Sequence, residues 1–257
     1  MDNAHLIGLS RQVALMRNLE VVANNIANVN TTGFKGDSAI FEEFLSLPAR
    51  ETQTGGGSGL PLSFVHDRGV WRDYAQGSVQ ATGNPLDVAI VGEGFLVVQT
   101  PNGERYTRNG ALQIATNGQL VTSEGMPVLG DSGPITFQPT DRNIAITKEG
   151  RITVNEGAET RTEGFRGKLR VVRFANPQQL RKDGSNNFVA SDGIAPTPVT
   201  TRTAIQQASI EKSNINAVME MTRMIDITRT YTQIANMLQQ HSDLRRNAIQ
   251  QLAEVPA

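Results

Sequence analysis

The sequence predicts an α+β protein: long N- and C-terminal helices that pair as a coiled-coil-like domain, with a central antiparallel β domain. Three observations predict it. Apolar residues recur at helical spacing near both ends of the 257-residue chain. The middle is made of short apolar or alternating runs. Turn pairs stand between those runs: Asn102-Gly103, Asn109-Gly110, Asn117-Gly118, Glu124-Gly125 and Glu149-Gly150. Asn-Gly between strands is the strongest short hairpin signal.

Residues 1–35 are expected to form the N-terminal part of the helical domain, with helix over 3–32. Leu6, Leu9, Val13 and Met16 follow a 3-4-3 spacing, and Leu19, Val22, Ile26 and Val29 continue the stripe. Asp2 is placed to cap the start and to meet the positive end of the helix dipole. Gly33 suits a left-handed cap, with Phe34 just beyond it packing back on Val29. Four asparagines close the segment: Asn24, Asn25, Asn28 and Asn30. They cost helix propensity and favour turns. Asn24, Asn25 and Asn28 are read as amides that fix register between packed helices, as a buried Asn does in coiled coils.

Residues 36–80 read as a bridging loop region, with a short helix over Ile40, Phe41, Phe44 and Leu45. Within it, Glu51 to Gly59 has the composition of a flexible linker. His66 and Trp71 are expected at a surface or interface. Residues 81–190 read as the β domain. Its strands are expected at Leu86–Val91, Phe95–Gln99, Leu112–Ala115, Gln119–Thr122, Ile135–Phe137, Ile144–Thr147, Ile152–Val154 and Leu169–Phe174. Gly92-Glu93-Gly94 has two glycines of a dinucleotide fingerprint, but Val97 stands at the third and no helical pattern follows. A tight β turn is expected there instead. Asp87 is expected to satisfy backbone N–H groups in a turn.

Residues 191–208, with Pro196 and Pro198, read as an extended connector. Residues 209–257 hold the second long helix, over 217–250 with Asn216 as cap. Ala217, Met221, Met224, Thr228, Tyr231, Ala235 and Leu238 keep a 4-3-4-3-4-3 spacing, and Val218, Ile225, Ile227 and Ile234 widen the apolar face. Met219, Met221, Met224 and Met237 are read as core positions that face partners. The two helices have too little of this chain to bury themselves against, and an exposed apolar stripe marks an interface.

Composition narrows the function classes. Lys plus Arg is 24 and Asp plus Glu is 25, for a net charge of -1. That balance argues against phosphate neutralisation and so against nucleic acid as a partner. The chain has no Cys, and its three His are far apart. Disulfides, thiol chemistry and thiolate zinc sites are excluded, and no cofactor or metal is expected. No nucleophile stands in a supporting motif, so neither catalysis nor a small-molecule substrate is expected. Asp2, Arg11 and Arg17 disagree with a secretory signal, and no run reaches a membrane span.

The run Ala23-Asn24-Asn25-Ile26-Ala27-Asn28-Val29-Asn30-Thr31-Thr32-Gly33-Phe34-Lys35 resembles the N-terminal signature of the flagellar rod and hook proteins. Ser213-Asn214-Ile215-Asn216, followed by Glu220-Met221-Thr222, Met224-Ile225, Arg229 and Tyr231, resembles their C-terminal signature. Pro85 to Phe95 and Tyr106-Thr107-Arg108-Asn109-Gly110 look like their β-domain motifs. The resemblance covers nearly the whole chain. Met1-Asp2-Asn3-Ala4, the length and Gly133-Pro134-Ile135-Thr136 look most like the proximal-rod branch, with the distal rod or hook as the alternative within the family.

The resemblance implies a structural subunit of the rod that crosses the periplasm and passes torque to the hook. It implies export through the flagellar type III apparatus without a cleaved signal peptide, and assembly with itself and other rod subunits. Paired helices would line a tube, the β domain would form an outer layer, and residues 36–80 would bridge neighbours. The subunit-interface set expected on this basis is Leu6, Leu9, Val13, Met16, Asn24, Asn25, Asn28, Ala217, Met221, Met224, Ile225, Tyr231, Ile234 and Leu238. Gly33 and Phe34 would set the helix cap and the bridge. Asp87, Gly92 and Gly94 would form a β-domain turn motif. A surface binding module built on the β domain is the alternative of another class.

Overall fold

The computed structural model describes residues 2–46, 62–156, 162–191, 193–199 and 203–253. The glycine-rich linker expected at 51–59 lies outside the described residues. Two long helices and many short antiparallel strands make the α+β class. The chain divides into a helical unit, Met1–Ala27, Asp37–Arg72 and Asn216–Ala257, and a β unit, Asn28–Gly36 and Asp73–Ile215.

In the helical unit, helix α1 spans Asp2–Ala27 and helix α2 spans Ala217–Ala253. α1 ends five residues before the expected end at residue 32. Past Ala27 the Thr31 N–H donates to the Asn28 carbonyl at 3.1 Å, and the Thr31 hydroxyl donates to Asn28 Oδ1 at 3.1 Å. These local turn bonds compete with the helical ladder, which is the ordinary reason Asn and Thr end helices. α2 starts as expected: Asn216 Oδ1 accepts from the Val218 and Met219 N–H groups at 3.1 and 3.3 Å. The helices pack on each other in antiparallel sense. Gly8 lies against Leu238 near one end, and Asn25 bonds Glu220 near the other.

The rest of the helical unit corrects the expected short helix over Ile40 to Leu45. Strand β1 (Asp37–Ser46) pairs antiparallel with β2 (Leu62–Arg72) over its whole length, with a bulge between Ile40 and Phe41. The 40, 41, 44, 45 spacing fits one helix face. A ladder of backbone bonds to a distant partner overrides it, as tertiary pairing commonly does for short apolar runs. Asp37 and Arg72 close the open end with a 2.8 Å ion pair.

The β unit has two apolar clusters sharing one central strand. Strand β3 is Val79–Ala81, β4 is Val88–Val91, β5 is Phe95–Thr100 and β6 is Gly103–Thr107. β5 is buried on both faces. Leu96 and Val98 join Val88, Ile90, Leu120 and Ile152 in one cluster, while Phe95 and Val97 join Tyr106, Phe174 and Phe188 in the other. Side-chain alternation along a strand makes that division possible. A six-stranded antiparallel sheet runs in the order 180–182, 187–190, β6, β5, 171–173, 197–198.

Some expected strands differ. Asn102-Gly103 and Asn117-Gly118 do turn hairpins. Asn109-Gly110 does not: both are buried in an irregular stretch where Val88 N–H donates to the Gly110 carbonyl at 2.9 Å. Ile135–Phe137 is not a strand; only Thr136 bridges, to Gln119. Part of the expected connector at 191–208 is sheet, because Ala204–Gln207 pairs with β4. Ser209–Glu211 pairs with β3.

Candidate functional site

The helical unit carries two kinds of surface. Its seam is formed by Ala14, Val21, Val22 and Asn25 on α1, and by Glu220, Ile227 and Ile234 on α2, all buried. Met224 and Leu238 flank the seam, half-buried. The expected α1 stripe lies elsewhere: Leu6, Leu9, Val13 and Met16 are 48–61 % exposed. Met219, Met221, Ile225 and Met237 on α2 are likewise exposed, as is Tyr231, whereas Ala217 is half-buried. The α2 methionines other than Met224 are therefore not core of this chain. The reason is helical phase. A stripe at 217, 221, 224, 228 and one at 220, 224, 227, 234 lie side by side, and the second faces α1. Ile234 and Asn25 are expected interface residues that the chain buries in itself.

Of the three asparagines expected to fix register, Asn25 is 1 % exposed and sits in the seam. Its Nδ2 donates to the Asp37 carbonyl at 2.8 Å and to Glu220 Oε2 at 3.2 Å, and its Oδ1 accepts from the Asp37 N–H at 3.0 Å. One amide thus ties α1, β1 and α2. Asn24 faces solvent, and Asn28 belongs to the turn after α1. Beside the seam, a groove of about 240 Å³ lies between α1 and β2. It is lined by Val13, Ala14, Met16 and Val65 and rimmed by Arg17, Glu20 and Asp67. Arg17 spans that rim, 3.0 Å from Glu20 and 3.3 Å from Asp67.

The β unit contains a buried charge cluster that the sequence reading did not assemble. Lys35 and Glu211 are both 0 % exposed. Lys35 Nζ donates to Glu211 Oε1 at 2.6 Å and to the Ala75 carbonyl at 2.7 Å. Oε1 also accepts from the Gly77 N–H at 2.9 Å, and Oε2 accepts from Arg108 Nη1 at 3.0 Å. Arg108 Nη2 donates to the Gly92 carbonyl at 2.8 Å. Burial pushes the Lys35 ammonium below the usual lysine range, and Glu211 opposes that shift. Lys35 and Arg108 stand in the motifs read from sequence; Glu211 does not. Its signal was a charged residue two places from Ser209, on the inward face of an alternating strand.

Around this cluster, residues 28–36 lie across the β unit. Gly33 takes φ +68, and its N–H donates to the Glu211 carbonyl at 2.7 Å. A Cβ there would overlap the Arg108 carbonyl group and stand 2.7 Å from the Asn109 nitrogen. The left-handed cap expected of Gly33 is thus a backbone crossing as well. Phe34 is buried, with the Lys182 ammonium 4.1 Å from its ring centroid. Asn214 Oδ1 accepts from the Gly36 N–H at 2.9 Å, while its Nδ2 donates to the Asp73 and Ala75 carbonyls.

The turn-motif residues are structural. The Asp87 carboxylate accepts from the Thr82 hydroxyl at 2.7 Å and from Asn84 Nδ2 at 3.0 Å. Side-chain donors therefore hold it, in place of the backbone donors expected. Gly92 and Gly94 have φ +99 and +145, as the tight turn requires. Elsewhere Arg166 grips Asp141 through two hydrogen bonds of 2.7 and 2.6 Å, and those bonds hold the Asp141 carboxyl below its usual range. Among the described residues no group of three or more His, Asp or Glu is arranged to hold a metal ion. No helix there is long and apolar enough to cross a membrane.

Residues 6–35 match the family model of the flagella basal body rod protein. Residues 89–154 match the flagellar hook protein FlgE/F/G D1 domain, and residues 206–251 the flagellar basal body rod FlgEFG protein C-terminal region. The chain is 41% identical over 256 residues to the flagellar basal-body rod protein FlgF of Caulobacter vibrioides, which covers 99% of this chain and 100% of that protein. It is 32% identical over 255 residues to FlgF of Mesorhizobium japonicum, across 98% of each chain. It is 34% identical over 227 residues to the flagellar basal-body rod protein FlgG of Buchnera aphidicola subsp. Schizaphis graminum, across 83% of this chain and 86% of that one.

Proposed function

We propose the role of this chain from one premise: it belongs to the flagellar basal-body rod protein family. It is a structural subunit of the bacterial flagellar basal-body rod. We assign it to the proximal rod, supported by 41% identity to a FlgF over essentially the full length, against 34% to a FlgG over 83%. In this role it works by assembly and not as an enzyme. It polymerises with itself and with other rod subunits, and the polymer carries torque. The chain reaches the periplasm through the flagellar type III apparatus in an unfolded state.

The observation that carries the assembly reading is the outward row Leu6, Leu9, Val13 and Met16, about half exposed beside a seam that is already filled. Fully burying one such side chain is worth about 1.5–3 kcal/mol. Covering the exposed half of four contributes roughly 3–6 kcal/mol per row. Neighbouring copies supply that cover. The helices pair in a coiled-coil-like way, are marginal alone, and gain stability when packed. A head-to-tail contact of this kind that does not close builds a helical polymer. Hairpin β1–β2, with Ile40, Val70 and Trp71 exposed, is the second contact surface.

Val13→Asp and Met221→Asp test this. Both positions are more than half exposed, so the isolated chain keeps its stability within about 0.5 kcal/mol. In the assembled rod each places an unpaired charge in an apolar contact, at a cost of several kcal/mol. Motility in soft agar is lost while the purified variants keep wild-type melting. Normal swimming by both refutes the surface assignment. Quantitative mass spectrometry of purified hook–basal bodies separates proximal from distal rod, since a few copies fit the first and many copies the second.

A further inference from the structure

We propose that Asn28–Gly36 is a releasable strap, latched by Lys35 onto Glu211, on a β unit that keeps its own core and its own charge balance when the strap is off. The inference goes beyond the rod assignment and does not depend on it.

The contacts of Glu211 carry the argument. With the strap docked, its carboxylate accepts from Lys35, Gly77 N–H and Arg108. Two of those three donors belong to the body of the β unit. Lifting the strap removes Lys35 and leaves Glu211 with a guanidinium and a backbone donor, so no buried charge is stranded. Lys35 gains water for its three N–H donors, which when docked reach Glu211 Oε1 and the Ala75 carbonyl. A buried lysine is costly unless paired, so the docked state is a small difference between desolvation and a charge-assisted hydrogen bond.

The strap's remaining holds are local and few. Phe34 is its buried apolar anchor. Its backbone is pinned by Asn186 Nδ2 on the Thr32 carbonyl at 2.7 Å, by Lys182 Nζ on the Lys35 carbonyl at 3.3 Å, by Asn214 on Gly36 and Phe34, by the Asp73 N–H on the Gly36 carbonyl at 2.9 Å, and by Glu211 on Gly33. Neither apolar cluster of the β unit includes a strap residue. The core is therefore complete without it. Such an element, with few buried apolar contacts, is what local opening selects. Docking sets residues 33–36 beside 211–215, so the latch decides whether the segments leading out of α1 and into α2 are clamped together.

Amide hydrogen exchange on the purified full chain tests the strap. The reporters are the Gly33 and Gly36 N–H groups, which donate to Glu211 and Asn214. Lys35→Met is expected to speed both at least tenfold while amides of β4, β5 and β6 keep wild-type rates. Asn186→Gly, which keeps the left-handed backbone at φ +55, is expected to act in the same direction more weakly. Glu211→Gln is expected to loosen the strap and also the strands, because Arg108 then loses its partner.

Strands that lose protection in step with the strap in Lys35→Met would make Lys35 an ordinary core residue and overturn the proposal. So would unchanged Gly33 and Gly36 rates in both milder variants. The same pattern in Lys35→Met and Glu211→Gln would overturn it too, as would wild-type strap amides that exchange like an unstructured peptide.

Discussion

Gly110→Ala is the sharpest test of how the β unit is packed. Gly110 has no left-handed backbone to preserve, so the whole effect is spatial. A Cβ there would overlap the Val88 carbonyl oxygen and stand 2.8 Å from its carbon and 3.1 Å from Cγ2. Two of these three atoms are backbone of β4, which is paired with Ala204–Gln207 and cannot give way cheaply. Overpacking costs about 1–3 kcal/mol. The shift also strains the 2.9 Å bond from Val88 N–H to the Gly110 carbonyl, worth about 0.5–1.5 kcal/mol. The alanine returns about 0.4–1 kcal/mol by restricting the unfolded chain. The net loss expected is about 2–3 kcal/mol, or roughly 4–12 °C for a domain of this size. Gly125→Ala is the control. Gly125 has φ +83 with nothing within 4 Å of a Cβ, so only a left-handed penalty applies, about 1 kcal/mol after the same correction. Urea denaturation followed by circular dichroism reads both. If Gly110→Ala loses no more stability than Gly125→Ala, the contact argument is wrong.

Asn25→Leu removes the amide that ties α1, β1 and α2, taking the acceptor from the Asp37 N–H and the donor from the Asp37 carbonyl and Glu220 Oε2; a loss of about 2–4 kcal/mol is expected, read as the helical signal at 222 nm on heating. The Asp141 carboxyl is held below its ordinary value near 3.8 by Arg166, so its contribution is present above that value and is lost as pH falls through the lower folded value. Between about pH 5 and pH 2 the wild type should therefore lose more stability than Asp141→Asn, and equal losses would show that the pair is not linked to folding.

The sequence announced both helices because their apolar residues repeat over many turns. It did not announce which side each helix turns to its partner. In α2 two stripes three residues apart share Met224 and Leu238, and periodicity alone cannot rank them. The seam is decided by what the other helix offers: a glycine at position 8 and an amide at position 25. Hairpin β1–β2 was hidden for a different reason. Its partner strands are separated in sequence by residues 47–61, an interval far longer than a two-residue hairpin turn, and the spacing of Ile40, Phe41, Phe44 and Leu45 imitates a helix face. The hairpin at Asn117-Gly118 was legible because its pairing is local; at Asn102-Gly103 the turn and its first strand were legible, but Gly103–Thr107, with Glu104 and Arg105 in place of an apolar run, was not read as the strand it is. The Lys35–Glu211 pair was not, since its partners are 176 residues apart and each looks like a surface charge when read alone.

The clamp between residues 33–36 and 211–215 has a mechanical consequence. The chain passes between the helical and β units four times, at 27/28, 36/37, 72/73 and 215/216, and the β-unit ends of these crossings are fastened by Gly33 N–H to Glu211 at 2.7 Å, Gly36 N–H to Asn214 at 2.9 Å and Asp73 N–H to the Gly36 carbonyl at 2.9 Å. A pull on the segments fastened there meets at that fastening and does not cross the six-stranded sheet. The sheet is wired in parallel with the load, like a weight hung from a closed ring, and its strands are never asked to slide or peel. Stiffness under load then resides in a few short polar bonds, while the large apolar clusters are left unstressed and free to vary in size and shape.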